Sequence, residues 1–260
     1  MSSLKAAALL MVPLFILAGC SAFFGFNAFK SLDEPPAPKL SDYQDGSSGL
    51  AKLATDLGSP AVVDKLKADM TTTQAIESYL DSTYHVTTGP LDTPDKQSAA
   101  MLYGDLYLKT TSGDQLVNNV VAEVMTSTQA GNISSLISSI IPSDVEGNET
   151  KFTAMITGLL LANVAYLNLG TSIPVYGVPP GMNMGDVAQK AAVAYLIQAI
   201  VDSVTPSVVP STTDAIHEMF LLVNDNPTNQ ISGVSVADPF TPLNASLKNI
   251  FDAAGAPYPK

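Results

Sequence analysis

One stretch of this chain, from Phe152 to Gly185, contains no charged residue, and it constrains the fold more than any other feature. Its first part, Phe152 to Leu169, is hydrophobic nearly all round at helical spacing, relieved by two threonines and two asparagines. A helix that is apolar on most sides lies either in a protein core or in a membrane. Its asparagines, and Lys190 in the similar segment from Asp186 to Val204, favour core helices.

Helix-start signals and helical spacing recur along the rest of the chain. Ser59 precedes Pro60 and Thr93 precedes Pro94, which places proline at the first helical position, where its missing N–H has no intrahelical partner to lose. A helix from Pro94 to about Thr111 and the apolar stripe after Gly113 form an antiparallel helical hairpin. We therefore predict an all-α domain from residue 49 to 260, either a single bundle or an irregular array of helical hairpins.

Further caps follow the same logic. Thr71 with Gln74 and Ser211 with Asp214 have the spacing of a capping box. Gly255 is expected to end the last helix, since glycine suits the position after a helix C-terminus. The alternation from residue 231 to 236 reads as a surface loop or one short strand.

One helix of the predicted hairpin carries Ala100, Gly104 and Tyr107, which resemble the first helix of a tetratricopeptide repeat. The resemblance covers one helix only and lacks the usual tryptophan and the repeat period. Ordinary helix packing through a small residue explains the same pattern, so both interpretations stay open.

Charge and cysteine content exclude several classes. The chain has a formal net charge of −12, and all 12 of its basic residues are lysine. Without arginine forks or a basic patch, binding to nucleic acid is not expected. A lone cysteine, Cys20, allows no disulfide within the chain, so the fold must rest on packing, for which 46% hydrophobic residues suffice.

The N-terminus carries an export signal. Lys5 precedes an apolar segment from Ala6 to Leu17, which is too short for a span of roughly 20 apolar residues. Leu17, Ala18, Gly19 and Cys20 follow one another, and this run resembles the lipobox of bacterial lipoproteins. The resemblance implies cleavage before Cys20, a diacylglyceryl group on its thiol and usually an acyl chain, such as palmitate, on the new N-terminus. Several chains give stable membrane anchoring, which one chain does not.

The same resemblance implies a location. Ser21 stands where an aspartate would favour retention in the inner membrane of enteric-type bacteria, so the outer membrane, facing the periplasm, is expected. We predict a signal peptide over residues 1–19, then the lipidated Cys20 and a flexible tether of proline, serine and acidic residues up to residue 48. Residues 49–260 then form the helical domain.

Catalytic and metal-binding patterns are missing from the sequence. His217-Glu218 lacks a second histidine four residues on, and His85 lies in a predicted helix-ending segment, so both histidines are expected to be surface or capping residues. Asp144, Glu146 and Glu149 only partly match a calcium loop. We therefore expect no metal, no cofactor and no enzymatic activity.

Two functions remain. The first is a non-catalytic accessory or adaptor, held at the envelope by lipid, that binds an unidentified protein partner. The second is a carrier for an apolar or lipid-like ligand, bound in a groove between the central helices. Residues of adaptable shape that would line such a groove, or equally pack the core, are Met155, Tyr166, Tyr176, Met182, Met184 and Tyr195.

Overall fold

A computed structural model describes residues 35–84, 91–126, 140–208, 211–224 and 244–258. Within these residues the chain is helical, with no β-strand, as predicted for an all-α protein. A short 3-10 helix, Leu40–Asp42, comes first. The α-helices that lie wholly within the described ranges are α1 (Gly46–Leu57), α2 (Pro60–Ala68), α3 (Met70–Tyr84), α4 (Pro94–Thr110), α5 (Gly113–Thr126), α6 (Glu149–Tyr176), α7 (Met184–Val208), α8 (Thr212–Asn224) and α9 (Ala245–Ala253).

Helix α6 is the centre of the bundle. It packs most extensively on α4 and also contacts α9, α7, α8 and α5. Among the described helices it alone is long and apolar enough to cross a membrane, yet 56% of its most apolar window is buried inside the protein. Contact with five other helices is what the uncharged stretch predicted for a core helix.

The helices form a bundle, and a tetratricopeptide-like repeat is not confirmed. In a repeat array each unit contacts only its neighbours, whereas α6 contacts helices from both halves of the chain. Gly104 has a direct packing role: a Cβ there would lie 2.7 Å from the ring of Tyr166 on α6. Ordinary close packing therefore accounts for the small residue at this position.

Most helix boundaries agree with the sequence signals. Pro60 and Pro94 occupy the first turns of α2 and α4, and the Thr93 hydroxyl accepts a hydrogen bond from a backbone N–H in the first turn of α4. Before α8, the backbone N–H of Asp214 donates to the Ser211 hydroxyl at 3.2 Å, and that hydroxyl donates to the Asp214 carboxylate at 2.6 Å.

The cap predicted from Thr71 and Gln74 is wrong. Helix α3 begins at Met70, and the carboxylate of Asp69 accepts from the backbone N–H of Thr72 at 3.1 Å. Aspartate is as good an N-cap as threonine, and it lies where α2 ends, so one residue separates the two helices. At the other end of the chain, Gly255 ends α9 with a φ of 66°, as predicted.

The folded region begins before residue 49, where we had placed its start. Tyr43 is fully buried, and its hydroxyl donates to Asp56 on α1 at 2.9 Å. The carbonyl of Pro35 accepts a hydrogen bond from Lys65 on α2. The last part of the predicted tether therefore packs on the domain, because one aromatic side chain outweighs the polar composition around it.

Helix α6 also runs beyond Leu169, where the sequence had predicted its end, to Tyr176. It continues past Pro174, which cannot donate a backbone hydrogen bond and normally ends or kinks a helix. The carbonyl of Gly170, which would accept from residue 174 in a regular helix, instead accepts a hydrogen bond from the side chain of Asn249 on α9. The alternating segment at 231–236 lies outside the described residues.

Candidate functional site: a groove between two helices

An open groove with a volume of about 450 Å³ lies between α1, α4 and the loop that joins α6 to α7. The α1 wall has the spacing of a single helix face, and it consists of Ser47, Leu50, Ala51 and Ala54. The α4 wall consists of Pro94, Asp95, Ser98, Met101 and Leu102. The loop closes one side with Pro179, Pro180, Gly181 and Met182.

A buried glutamine of α4 holds that loop in place. The side-chain nitrogen of Gln97 donates to the hydroxyl of Ser172 and to the carbonyl of Gly177, each at 2.9 Å. Gln97 is 1% exposed, so losing either bond would leave a buried polar group unpaired. The groove is therefore preformed. Sequence reasoning missed Gln97, although a glutamine beside Ala99 and Ala100 on a buried face was an available signal.

Apolar surface continues along the chain just before the loop. Val175, Tyr176 and Val178 are 65%, 48% and 38% exposed, at the C-terminal end of α6 and directly after it. Large apolar side chains grouped within four residues and left in water are typical of an interaction surface.

Few of the described residues that line the groove are polar. Within the described part of the chain, Asp95 is the single charged residue that lines the groove, and it accepts a hydrogen bond from Ser47. None of the described residues that line the groove is a histidine, cysteine or lysine. The remaining walls are apolar or small.

The structure places the six predicted groove residues in different surroundings. Met155 and Tyr166 are fully buried, and Met184 is nearly so. Tyr195 packs partly buried against the core, and Tyr176 is half-exposed at the end of α6. Met182 lines the groove. Methionine and tyrosine serve as core fillers and as groove walls equally well, so their type alone does not separate these roles.

A buried polar network joins the three central helices. The ammonium of Lys190 on α7 lies 2.6 Å from Asp186 and 3.0 Å from Asp105 on α4. The hydroxyl of Tyr166 donates to the same oxygen of Asp105 at 2.7 Å. Burial acts to lower the pKa of Lys190, but the two carboxylates outweigh it and hold the pKa above its ordinary value. The network fixes how α4, α6 and α7 meet.

Tyrosines also join α3 to α4. The ring of Tyr103 lies 5.1 Å from that of Tyr84 and 4.9 Å from that of Tyr107. Burial raises the pKa of the neighbouring Glu77 carboxyl and of all three phenols. Edge and tilted contacts of this kind stabilise packing.

His217 pairs with a carboxylate on the surface. Its Nδ1 lies 2.5 Å from Oε1 of Glu149, at the N-terminal end of α6, and this hydrogen bond raises the pKa of His217. His85 lies outside the described residues. Asp144 accepts a hydrogen bond from Ser112 and lies near Lys151. Over the described ranges, no group of three histidine, cysteine or acidic side chains is placed to hold a metal ion.

Leu17, Ala18, Gly19 and Cys20 lie outside the described residues. Comparison of the whole chain with known protein families, curated proteins and solved structures finds no match.

Proposed function

We propose that this chain is a lipid-anchored lipoprotein of the bacterial envelope whose helical domain acts as a non-catalytic adaptor in protein–protein interaction. The observation that carries the proposal is the run Leu17-Ala18-Gly19-Cys20 behind a charged and then apolar segment. Acyl chains on Cys20 would anchor the protein, and Ser21 favours the outer membrane with the domain facing the periplasm.

The acidic net charge supports anchoring by covalently attached acyl chains rather than by attraction to lipid headgroups. A chain with a net charge of −12 gains nothing from the negative surface of a bilayer, which attracts polybasic segments. Helix α6 is held by five neighbouring helices, and exposing its buried faces to lipid would require the bundle to open. Both observations support acyl chains on Cys20 as the anchor.

The open groove supports an adaptor over a carrier. Sites for small molecules bury most of the surface of their ligand, whereas this groove is only partly enclosed. The space between the central helices is filled by side chains such as Met155 and Tyr166. A carrier of apolar ligands stays the second candidate, because the groove walls are largely apolar.

Replacing the sulfur of Cys20 by a hydroxyl tests the anchor. We expect Cys20→Ser to move the protein from the membrane to the soluble fraction without changing its far-ultraviolet circular dichroism. Ser21→Ala is the matched control and should stay with the membrane. If Cys20→Ser remains in the membrane after a carbonate wash, another segment is the anchor and the proposal fails.

Partner capture tests the adaptor. Crosslinking in cells followed by purification should recover a defined protein with the wild-type chain. The same partner should be lost when the groove is filled by Ala54→Trp and kept with Ala154→Trp, an equal change at an exposed position of α6. Recovery of lipid in place of protein would favour the carrier.

A further inference from the structure

We propose that the groove binds an apolar peptide segment of a partner protein, and that lysine or arginine residues flank this segment. The inference rests on the proposed adaptor function and names the chemistry of the partner.

The walls are shaped for side chains. The small side chains of Ala51 and Ala54 line the groove from α1, and Met101 lines it from α4. Met182 adds a second methionine from the loop. Methionine is unbranched and polarisable, so it adapts to differently shaped apolar side chains and is common on peptide-binding surfaces.

The groove needs little rearrangement to bind. Its loop wall is fixed by the two hydrogen bonds of Gln97, and Pro179 is buried. The opposite walls are helices of 12 and 17 residues that pack on each other. A preformed site does not have to be ordered at the moment of binding, which is a principal cost of association.

Charge selects the flanks of the peptide. Asp95 is the one charged side chain among the described residues that line the groove, and its carboxylate accepts from Ser47 yet keeps lone pairs for a further donor. The chain as a whole carries −12 and no arginine. Acidic flanks on a partner would be repelled and basic flanks attracted, which sets both specificity and association rate.

Peptide binding to the purified full-length protein, in the form that cells produce, tests the inference. The probes are two fluorescein-labelled synthetic peptides with the same leucine- and phenylalanine-rich core, one with lysine pairs at its ends and one with glutamate pairs. We expect fluorescence anisotropy to show binding of the lysine-flanked peptide only, and added sodium chloride to weaken it.

Two variants locate the binding. Ala54→Trp should weaken binding at least about tenfold by filling the groove, while Ala154→Trp leaves it unchanged. Asp95→Asn should weaken binding of the lysine-flanked peptide about fivefold and reduce its salt dependence. Circular dichroism of each variant shows whether the fold is kept. If Ala54→Trp does not fold, Asp95→Asn still tests whether the peptide binds in the groove.

Three results would overturn the inference: no binding of either peptide, equal binding of both, or equal binding to the Ala54→Trp and wild-type chains. Displacement of the peptide by phosphatidylcholine vesicles would also overturn it and assign the groove to lipid. The measurement does not depend on membrane attachment. If the protein binds the peptide but Cys20→Ser stays in the membrane fraction, only the lipid anchor is refuted. If Cys20→Ser leaves the membrane fraction but the protein does not bind the peptide, only the groove is refuted.

Discussion

Asn249 donates its side-chain amide to the carbonyl of Gly170 at 2.9 Å, and this carbonyl is the one that Pro174 leaves without a donor in helix α6. In a regular helix the backbone N–H of residue 174 would donate to the carbonyl of residue 170. Proline has no N–H, so a side chain from α9 replaces it. The end of α6, and with it the loop that walls the groove, is thereby linked to the last helix.

A double-mutant cycle tests this replacement. Asn249→Leu should lower the free energy of unfolding by about 1–3 kcal/mol, because it leaves a partly buried carbonyl unpaired. Pro174→Ala restores the backbone donor, so Asn249→Leu should cost clearly less when both changes are combined. Urea denaturation measures both values. An equal cost of Asn249→Leu with and without Pro174 would contradict the account.

Gly170 is also a point of close approach between α6 and α9. A Cβ at Gly170 would lie 2.1 Å from the backbone oxygen of Ser246, which cannot move without shifting α9. Gly170→Ala should therefore destabilise the protein by about 3 kcal/mol, despite the higher helix propensity of alanine.

Gly158→Ala is the matched control for this prediction. It is the same change in the same helix, but its closest atom, at 2.6 Å, is the side-chain hydroxyl of Thr111. Moving this hydroxyl gives up its hydrogen bond to the carbonyl of Tyr107 but shifts no backbone, so we expect a smaller loss. Thermal unfolding of both variants compares them. A loss for Gly158→Ala as large as that for Gly170→Ala would mean that the contact with Ser246 is not the cause.

Removing only the cation from the Lys190 network should lower the free energy of unfolding. Lys190→Met leaves the carboxylates of Asp105 and Asp186 facing each other without their cation, so we expect a loss of about 3 kcal/mol in the free energy of unfolding. Adding Asp105→Asn removes one of these charges and should restore part of the loss, which chemical denaturation will show. No recovery in the double variant would argue against a charge effect.

The pair between His217 and Glu149 makes stability depend on pH in a defined direction. The hydrogen bond raises the pKa of His217 above 6.5, so the folded state holds the proton more tightly than the unfolded state. This contribution is complete below pH 6.5 and is lost as the pH rises through the raised pKa.

Nuclear magnetic resonance titration of the His217 ring measures that pKa directly. Glu149→Gln is expected to bring it back toward 6.5, because the neutral amide no longer favours the charged ring. The stability difference between wild type and Glu149→Gln should also shrink between pH 6 and pH 8. A pKa that is unchanged in Glu149→Gln would show that the contact does not set it.

The sequence predicted the helices better than their contacts. Periodicity and caps located α4, α5, α6 and α7, because local signals such as Thr93-Pro94 act within one turn. The extension of α6 past Pro174 was not predictable, since it depends on Asn249 from a distant part of the chain. The burial of Tyr43 likewise depends on Asp56 and α1, and the surrounding residues are polar.

The groove was only partly predictable for a similar reason. Met182 was identified by residue type, but the walls contributed by α1 and α4 arise from how those helices pack. Ala51 and Ala54 carry no chemical signal in the sequence. Gln97 acquires its role only when α4 meets the end of α6, so a pattern along one helix does not reveal it.

The mass of the intact protein from a bacterial membrane tests the central claim most directly. We predict a chain that begins at Cys20 and carries the added mass of a diacylglyceryl group on the thiol, with or without an N-terminal acyl chain. A chain that retains residues 1–19, or one that begins at Cys20 with a free thiol, would contradict it.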